Sequence, residues 1–492
     1  MYNKLSAQWN KTIISITIVL SLVLSIYVLN DPIGSAKNLS SIYNYLASTF
    51  ESTYMYGGFF VFCFLVLLAL SRYGNIKIEL INKDVHSFFS WGSMLFAAGI
   101  GAALLYWSTI EWIEYFNILK NSKSYEEAII YARTYPIFHW SFTAWAIYCL
   151  PAVAFGIALT KNLDSKLTFS GIFNSKNKIS ELIFDTLFIG SILCGAGVGL
   201  GLSFPLISSI ISKIFFIERS AILDITTILI CLFIFSSSAY LGIKKGIRIL
   251  SNFNIILVIC FLILILILGP TKYIFLHSLD SYNFLAKKYF EFSFTTGSQI
   301  SLDWTVFYWA WWMALAPMVG AFVVNISNGK SIRQIIFGTI LIGSLGCMLS
   351  MSILSNFSIY LFESNLLNAP ELIESKLLNR EELIVETFSF LKFSKVLLIL
   401  FGIICIIFLC TTYDSTSYIL SSASMKSTNI ESTGSLRIIF AVLLVVQPTL
   451  LLFLGGVDSF KWIMVIFSVP LLLVYILLIL FIVKNVHTIR KS

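Results

Sequence analysis

The most informative segment of this 492-residue chain is Trp304-Thr-Val-Phe-Tyr-Trp-Ala-Trp-Trp-Met-Ala-Leu-Ala-Pro-Met-Val-Gly320. It lies inside an apolar run long enough to cross a bilayer, yet it contains four tryptophans and the helix breakers Pro317 and Gly320. An interrupted helix at membrane depth is tolerated where it lines a cavity or is supported by neighbouring helices. Aromatic faces that line a cavity attract cations without hydrogen-bond donors, above all quaternary ammonium groups. The alternative interpretation is a lipid-facing aromatic girdle.

The composition around this segment is that of a membrane protein. Hydrophobic residues make up 58% of the chain and charged residues only 12%, whereas soluble domains are about 45–50% apolar and about 25% charged. The formal net charge of +8 is scattered over short loops, so it indicates membrane topology rather than nucleic-acid binding. The eight cysteines all fall within apolar runs without metal-ligand spacing, which favours a packing role for them.

The length needed to cross the hydrocarbon core, ~20 residues, predicts about twelve spans. Their approximate limits are residues 13–30, 55–72, 90–110, 137–160, 182–211, 220–242, 252–270, 303–325, 334–361, 395–424, 436–456 and 460–483. The first run lacks a convincing signal-peptide cleavage site, so we expect it to remain as a span. An even count places both termini on one side, where the loops are short and dominated by basic residues. The positive-inside rule therefore predicts cytoplasmic termini.

Spans three and eight are both expected to be interrupted. Span three contains Phe96-Ala-Ala-Gly-Ile-Gly-Ala-Ala103, and Gly99 and Gly101 would weaken its helix and expose backbone carbonyls. Small residues in one helix also suit close helix packing, which is the alternative for the glycines taken alone. Two interrupted helices five spans apart predict two five-helix inverted repeats with a binding site between them.

The predicted domain organisation follows these repeats. Residues 1–89 form a tail and two peripheral helices, 90–270 the first repeat, 271–302 an external amphipathic linker helix, 303–483 the second repeat and 484–492 a short cytoplasmic tail. The loops opposite the termini, residues 111–133 and 363–395, mix acids and bases, and Pro370 starts a short external helix in the second of them.

The fourth span adds a second aromatic group, Phe138-His-Trp-Ser-Phe-Thr-Ala-Trp-Ala-Ile-Tyr148. On a helix Trp145 and Tyr148 are an i,i+3 pair on one face, with Trp140 more than a turn earlier. Together with Trp312 they would wall a small aromatic box, unless they serve only as core packing. His139 is interpreted as a hydrogen-bonded structural residue rather than a proton relay, because no carboxylate accompanies it within the span.

Span ten supplies hydroxyl groups at membrane depth, in Phe408-Leu-Cys-Thr-Thr-Tyr-Asp-Ser415. Adjacent Thr411 and Thr412, facing carbonyls released by a glycine-broken helix, would form an all-oxygen site for a hard monovalent cation. Threonine hydroxyls also bond back to carbonyls of their own helix, and the residues alone do not separate these readings. For Asp414 a structural role is favoured over direct ligation. Glu111, at the outer end of span three, is read as a candidate solvated gate residue.

The tryptophan-rich segment, continued by Asn325-Ile-Ser-Asn-Gly-Lys-Ser-Ile-Arg333, closely resembles the signature span and following cytoplasmic loop of the betaine/choline/carnitine transporter family, and the fourth span resembles it too. The resemblance implies an all-α, leucine-transporter-type fold and a secondary transporter, not an enzyme, in the cytoplasmic (inner) plasma membrane. It implies import of a betaine-type quaternary ammonium or sulfonium solute, and a homotrimer. The implied substrate contacts are Trp140, Trp145, Tyr148 and Trp312, with Trp311 beside them in the permeation path.

The same resemblance implies sodium as the coupling ion, with no other cofactor. The implied ligands are the carbonyls of Ala97, Ile100 and Phe408 and the hydroxyls of Thr411 and Thr412. A second sodium site of some relatives needs hydroxyls in span five, and residues 193–202 have none. Sodium-independent relatives carry a fixed basic side chain near the start of span seven, whereas residues 251–255 contain no Lys or Arg, which favours bound sodium.

One position departs from the family pattern, and two other functions compete. Leu315 stands where relatives often carry a third aromatic, so a somewhat different onium compound is compatible with the sequence. A sodium-independent exchanger of the same fold is the first alternative. A polytopic membrane enzyme is the second, but it would need His with Asp, Glu or Cys in catalytic relation near one membrane face, and the sequence shows no such set.

Overall fold

The computed structural model describes residues 8–80, 84–162, 165–175, 177–241, 244–426 and 432–489. Regular structure in these ranges is helical, apart from two isolated β-bridges, Trp9 with Met425 and Lys77 with Ser331. Residues 1–7 and 490–492 of the two predicted tails lie outside the described residues. The chain is therefore all-α, as the sequence predicts.

The helices follow one another along the chain, and most are long enough to cross a bilayer. They are α1 (Lys11–Asn30), α2 (Pro32–Leu70), α3 (Phe88–Ala98), α4 (Ala102–Leu119), α5 (Tyr125–His139), α6 (Phe142–Lys161), α7 (Phe169–Phe173), α8 (Lys178–Phe215), α9 (Ala221–Leu241), α10 (Lys244–Leu268), α11 (Thr271–Phe294), α12 (Val306–Ile326), α13 (Ile332–Phe337), α14 (Gly343–Glu363), α15 (Ala369–Glu374), α16 (Arg380–Ser389), α17 (Ser394–Ala423), α18 (Gly434–Gly455) and α19 (Val457–Ile489). Short π-helical turns, Ser301–Thr305 and Gly338–Ile342, lead into α12 and α14.

Within the described ranges, nine helical stretches are long and apolar enough to span a membrane, and ten if the bent pair α3–α4 counts as one span. Helices α9 and α18 lie at two further predicted spans, but their apolar parts, Ala221–Ile234 and Gly434–Leu450, are shorter. The protein is thus a multi-pass membrane protein.

The third predicted span is bent by 56° between α3 and α4. Gly99 permits a close approach of α14, because a Cβ atom there would lie 2.5 Å from the carbonyl oxygen of Gly343, whereas one at Gly101 would meet nothing within 4 Å. The Cys347 thiol of α14 also donates a hydrogen bond to the Gly99 carbonyl at 3.0 Å. Helix α14 therefore supports the backbone where the third span is interrupted.

The expected interruption of span eight is not observed. Helix α12 runs unbroken through Pro317 and Gly320 to Ile326, because neighbouring helices can support the groups that a membrane proline leaves unbonded. Gly320 does not break the helix; it allows α12 to cross close to α6. A Cβ atom there would lie 2.9 Å from the backbone nitrogen of Ala152 and 3.0 Å from the Cβ of Pro151 in α6. The contact of α12 with α6 is the most extensive one between helices in the described chain.

Two further corrections concern spans three and four. The predicted loop 111–133 is largely helical, because α4 continues to Leu119 and α5 begins at Tyr125. Among its charges, Glu114 pairs with Arg380 at 2.7 Å and Arg133 with Glu363 at 3.2 Å, both in later segments, whereas Glu126 and Glu127 at the start of α5 are exposed. Span four is interrupted where no break was expected, since Trp140 and Ser141 separate α5 from α6 with non-helical backbone angles.

The segments between the longer helices follow the sequence more closely. Helix α11 lies within the predicted linker and packs on α5 and α14 through one face that includes Ile274, Leu285 and Phe292. Its other face exposes apolar side chains such as Phe275 and Phe290. The short helices predicted within residues 363–395 are confirmed as α15 and α16, with Pro370 in the first turn of α15.

Replacing Gly320 by valine should destabilise the folded protein. The added side chain must push α12 away from α6, and overpacking of a close-packed interior costs about 1–3 kcal/mol. We expect a lower midpoint of thermal unfolding in detergent, followed by tryptophan fluorescence. Gly57→Val is the matched control, because Gly57 is also helical and a Cβ atom there has no heavy atom within 4 Å. Equal destabilisation by both variants would contradict the close crossing.

Candidate functional site

The four aromatic side chains expected to wall a box come from the span-four break, α6 and α12, and pack against one another. The ring centroids of Trp140 and Trp312 are 4.7 Å apart, those of Tyr148 and Trp312 5.1 Å, and those of Trp145 and Tyr148 5.6 Å. The ring planes of each pair are inclined by 84° or more, so each ring packs edge to face on the next. None of the four rings is more than 5% exposed. The structure thus brings together the four residues that the sequence groups.

Burial also decides between the two interpretations of the tryptophan-rich segment. Trp304, Trp309, Trp311 and Trp312 are all exposed by 5% or less. A girdle at the lipid interface would leave the rings on the outer surface of the protein. The lipid-facing interpretation is therefore excluded, and the segment is an interior one.

The indole N–H groups of the neighbouring tryptophans on α12 are both bonded to backbone. Trp312 Nε1 donates to the carbonyl oxygen of His139 at 2.9 Å, and Trp311 Nε1 donates to that of Gly195 on α8 at 2.8 Å. The two rings are stacked, with centroids 5.6 Å apart. Because their polar edges are satisfied elsewhere, the rings present faces rather than donors, which suits a cation that carries no N–H group.

The Trp145 ring rests on two glycines from different helices. A Cβ atom at Gly343 would overlap the ring, and one at Gly99 would lie 3.1 Å from its Cζ2 atom. Trp145 therefore fills the space between the interruption of span three and the start of α14. Sequence reasoning missed Gly343, although the small residues Gly338, Gly343 and Gly346 at one end of span nine are typical of a close-packed helix surface.

Glu111 is fully buried, so its interpretation as a solvated gate residue is wrong. Its Oε2 accepts a 2.8 Å hydrogen bond from Trp140 Nε1, and its Oε1 accepts one of 2.5 Å from the Tyr115 hydroxyl. The carboxylate lies inside because α4 extends well past the predicted end of span three and packs against α5.

His139 is bonded through both ring nitrogens. Nδ1 lies 2.7 Å from the Tyr115 hydroxyl and 3.5 Å from Glu111 Oε1, and Nε2 lies 3.0 Å from Thr305 Oγ1. These bonds agree with a structural, hydrogen-bonded histidine. The sequence argument that no carboxylate accompanies it holds only along its own span, because Glu111 reaches it from α4.

The proposed sodium ligands lie on two segments. Ala97 and Ile100 stand at the interruption of span three, where the Ile100 N–H donates to the Ala97 carbonyl at 3.2 Å. On α17, the Thr411 hydroxyl donates to the carbonyls of Ile407 at 3.0 Å and Phe408 at 3.2 Å, which is the local bonding that the sequence left open.

Among the bonds described for these residues, none joins the two sodium-ligand segments. Thr412 lies next to Thr411 and is partly buried. Within the described chain no group of three or more His, Cys, Asp or Glu side chains could hold a metal ion.

Leu315, which departs from the family pattern, packs against α8. A Cβ atom at Gly195 would lie 2.9 Å from Leu315 Cγ, so the glycine makes room for this side chain. The same Gly195 bonds Trp311 through its carbonyl. The glycine-rich run of span five therefore positions one face of α12, a role that the sequence analysis did not assign to it.

One ring of the tryptophan-rich segment, that of Trp304, makes a cation–π contact with Lys461 of the protein itself. The ammonium of Lys461 on α19 lies 3.6 Å from the ring centroid of Trp304, and Asp458 lies 3.5 Å from the same ammonium. Lys461 is only 7% exposed. A desolvated cation over an aromatic face is thus part of the structure, although sequence spacing gave no sign of this pair.

Known proteins resemble this chain in sequence over most of its length. The sequence model of the betaine/carnitine/choline family transporter matches residues 12–491. A carnitine transporter of Acinetobacter baumannii is 27% identical over 458 residues, which is 90% of this chain and 82% of the relative. An ectoine/hydroxyectoine transporter of Virgibacillus pantothenticus is 26% identical over 89% of this chain and 88% of its own. A glycine betaine transporter of Bacillus subtilis is 26% identical over 87% of this chain and 85% of its own.

Gly343→Ala should weaken binding of a small quaternary ammonium such as choline by roughly tenfold, the effect of losing one well-placed aromatic face. The new methyl group displaces Trp145, because its carbon would overlap the ring. Binding to the detergent-purified protein can be measured by calorimetry. Gly197→Ala is the control, since a Cβ atom there meets Pro448 at 3.7 Å, which is ordinary contact away from the aromatic group. Unchanged affinity in Gly343→Ala would show that Trp145 is no part of the site.

Proposed function

Because the chain belongs to the betaine/carnitine/choline transporter family, we propose that it imports a quaternary ammonium or sulfonium solute by secondary active transport with alternating access. The family and its relatives are transporters rather than enzymes. The observation that carries the proposal is the buried box of Trp140, Trp145, Tyr148 and Trp312, with Trp311 stacked behind Trp312.

The chemistry of the box favours an onium cation over an ordinary amine. A buried primary ammonium must find partners for its N–H groups or lose the free energy of its hydration. A trimethylammonium or sulfonium group has no such donors and is attracted by ring faces alone. The named substrates of two relatives, carnitine and glycine betaine, are both trimethylammonium compounds. The physiological solute is therefore expected within this class.

We propose sodium as the coupling ion, bound by the carbonyls of Ala97, Ile100 and Phe408 and the hydroxyls of Thr411 and Thr412. The region where sodium-independent relatives carry a basic side chain supports this choice. Asn254 occupies it on α10, is 1% exposed, and donates a 3.2 Å hydrogen bond to the Ile404 carbonyl of α17. An uncharged amide thus lies one turn from Phe408, and no fixed cation there replaces the ion. A sodium-independent exchanger is the competing function.

The membrane arrangement is proposed on the same basis. Twelve spans would form two inverted five-helix repeats, residues 90–270 and 303–483, joined by the linker at 271–302 and preceded by two peripheral helices within residues 1–89. Both termini, including the tail at 484–492, would be cytoplasmic, and three copies would assemble in the plasma membrane. The bent third span and the basic short loops support this arrangement.

Trp312→Leu should weaken onium binding about tenfold or more, because a desolvated aromatic face contributes on the order of 1–2 kcal/mol to cation binding. Affinities for choline, carnitine and glycine betaine are measured on purified protein by calorimetry. Trp309→Leu is the matched control, since Trp309 is equally buried on the same helix but contacts Phe138 and His139. Retained affinity in the Trp312 variant, for every solute that the wild type binds, would refute the box.

Thr412→Ala should raise the sodium concentration needed for half-maximal uptake by reconstituted protein, with little effect on the apparent solute affinity at saturating sodium. The reason is that an ion short of one oxygen ligand is costly to hold at low dielectric. Thr411→Ala is expected to act likewise. Ser421→Ala is the control, because Ser421 is a backbone-bonded hydroxyl more than two turns further along α17. Full uptake in sodium-free potassium buffer would favour the exchanger instead.

A further inference from the structure

Glu111 is a buried carboxylate that touches the aromatic box from outside. It is 0% exposed, and each of its oxygens accepts a hydrogen bond, Oε2 from Trp140 Nε1 and Oε1 from the Tyr115 hydroxyl. Trp140 is a wall of the box, so one indole ring separates the carboxylate from the space where a substrate cation would bind.

Glu111 pairs with no Lys or Arg side chain among the described residues. Among the ion pairs of the described chain, its one basic neighbour within 4 Å is the His139 ring at 3.5 Å, which is charged only when protonated, and the Tyr115 hydroxyl bonds to both. The adjacent acid on the same helix, Glu114, pairs with Arg380 instead. A carboxylate at this depth is costly without a compensating positive charge. A cation in the box would supply that charge.

The hydrogen bond from Trp140 Nε1 to Glu111 is made at a position where Trp140 lies outside a helix. Trp140 stands between α5 and α6 with non-helical backbone angles, so regular helix geometry does not fix its side chain. The indole N–H donated to Glu111 sets the orientation of the ring. On the other side of the box, the His139 carbonyl accepts the N–H of Trp312. The Glu111 side chain therefore holds Trp140, and the backbone of His139 holds Trp312.

We propose that Glu111 is a positioning and specificity-determining residue of the onium site, which orients Trp140 and attracts the substrate cation through that ring. This inference rests on the proposed function, because it requires that the box binds a cation. A negative charge behind the indole favours a positive ligand over a neutral ligand of the same shape. Glu111 thus selects for charge, whereas the ring faces select for shape and for the absence of donors.

The test compares choline with its neutral carbon isostere, in which a tert-butyl group replaces the trimethylammonium. Dissociation constants for both are measured on the full-length protein in detergent, for wild type, Glu111→Gln and Tyr115→Phe. Glutamine can still accept the Trp140 N–H but carries no charge. We expect Glu111→Gln to weaken choline binding by roughly tenfold and to leave the isostere almost unchanged. Tyr115→Phe keeps the carboxylate, so it should keep the ratio of the two affinities.

The outcomes separate the inference from the function on which it rests. Equal weakening of both ligands in Glu111→Gln would make the residue merely structural, and unchanged binding of both would give it no role. Either result overturns the inference. The proposed function is not affected by it as long as the wild type still binds choline more tightly than the isostere. A wild type that binds both ligands equally overturns the cation box itself.

A shorter acid gives a second test if Glu111→Gln does not fold. Glu111→Asp moves the charge away from Trp140 by about one carbon–carbon bond, ~1.5 Å. It should lower the ratio of the choline affinity to the isostere affinity severalfold. This decrease should be smaller than the one in Glu111→Gln, which removes the charge completely. A folded Glu111→Asp protein with an unchanged ratio overturns the inference.

Discussion

The carbonyl groups freed where α3 and α4 separate must be satisfied within the protein, because the hydrocarbon core of a bilayer offers no hydrogen-bond donor. The structure meets this requirement by bringing α14 against the interruption. The Cys347 thiol bonds the Gly99 carbonyl, and Gly343 lies so close that a side chain at Gly99 would meet its backbone. The same close approach leaves a slot that the Trp145 ring fills. The shape of the aromatic box therefore depends on how the broken helix is supported.

Each of the four tryptophans in the tryptophan-rich segment has a different neighbour in the structure. Trp304 lies under the Lys461 ammonium, Trp309 packs beside Phe138, Trp311 bonds to α8 and Trp312 forms a wall of the box. Only one of the four is thus a proposed direct contact of the substrate. The others fix α12 and the π-helical turn before it against three different parts of the protein. A ligand site made of ring faces needs such fixation, since cation–π attraction depends on where the cation lies over the ring.

The helical fold and the pairing of Trp145 with Tyr148 could be predicted from the sequence, because apolar runs and i,i+3 spacing are local signals. Contacts that arise only from tertiary packing could not be predicted from it. Glu111 looked like a surface residue because it stands at the outer end of the predicted span three, and nothing local reveals that Arg380 neutralises Glu114 one turn further on. Pro317 predicted a break that packing against α6 prevents, whereas the break beside Trp140 has no proline or glycine in it. Each error arose where neighbouring helices, rather than local propensity, set the backbone.

The arrangement also offers a physical basis for coupling between an ion and a solute. Coupling requires an element whose position both ligands influence, and the influence must be reciprocal. The interruption of span three is such an element. It carries the Ala97 and Ile100 carbonyls proposed for the ion, and its Gly99 touches the Trp145 ring of the box. An ion that draws those carbonyls together must also shift the surface on which Trp145 rests. A solute that presses on Trp145 must, by the same contact, bias the carbonyls towards or away from the ion.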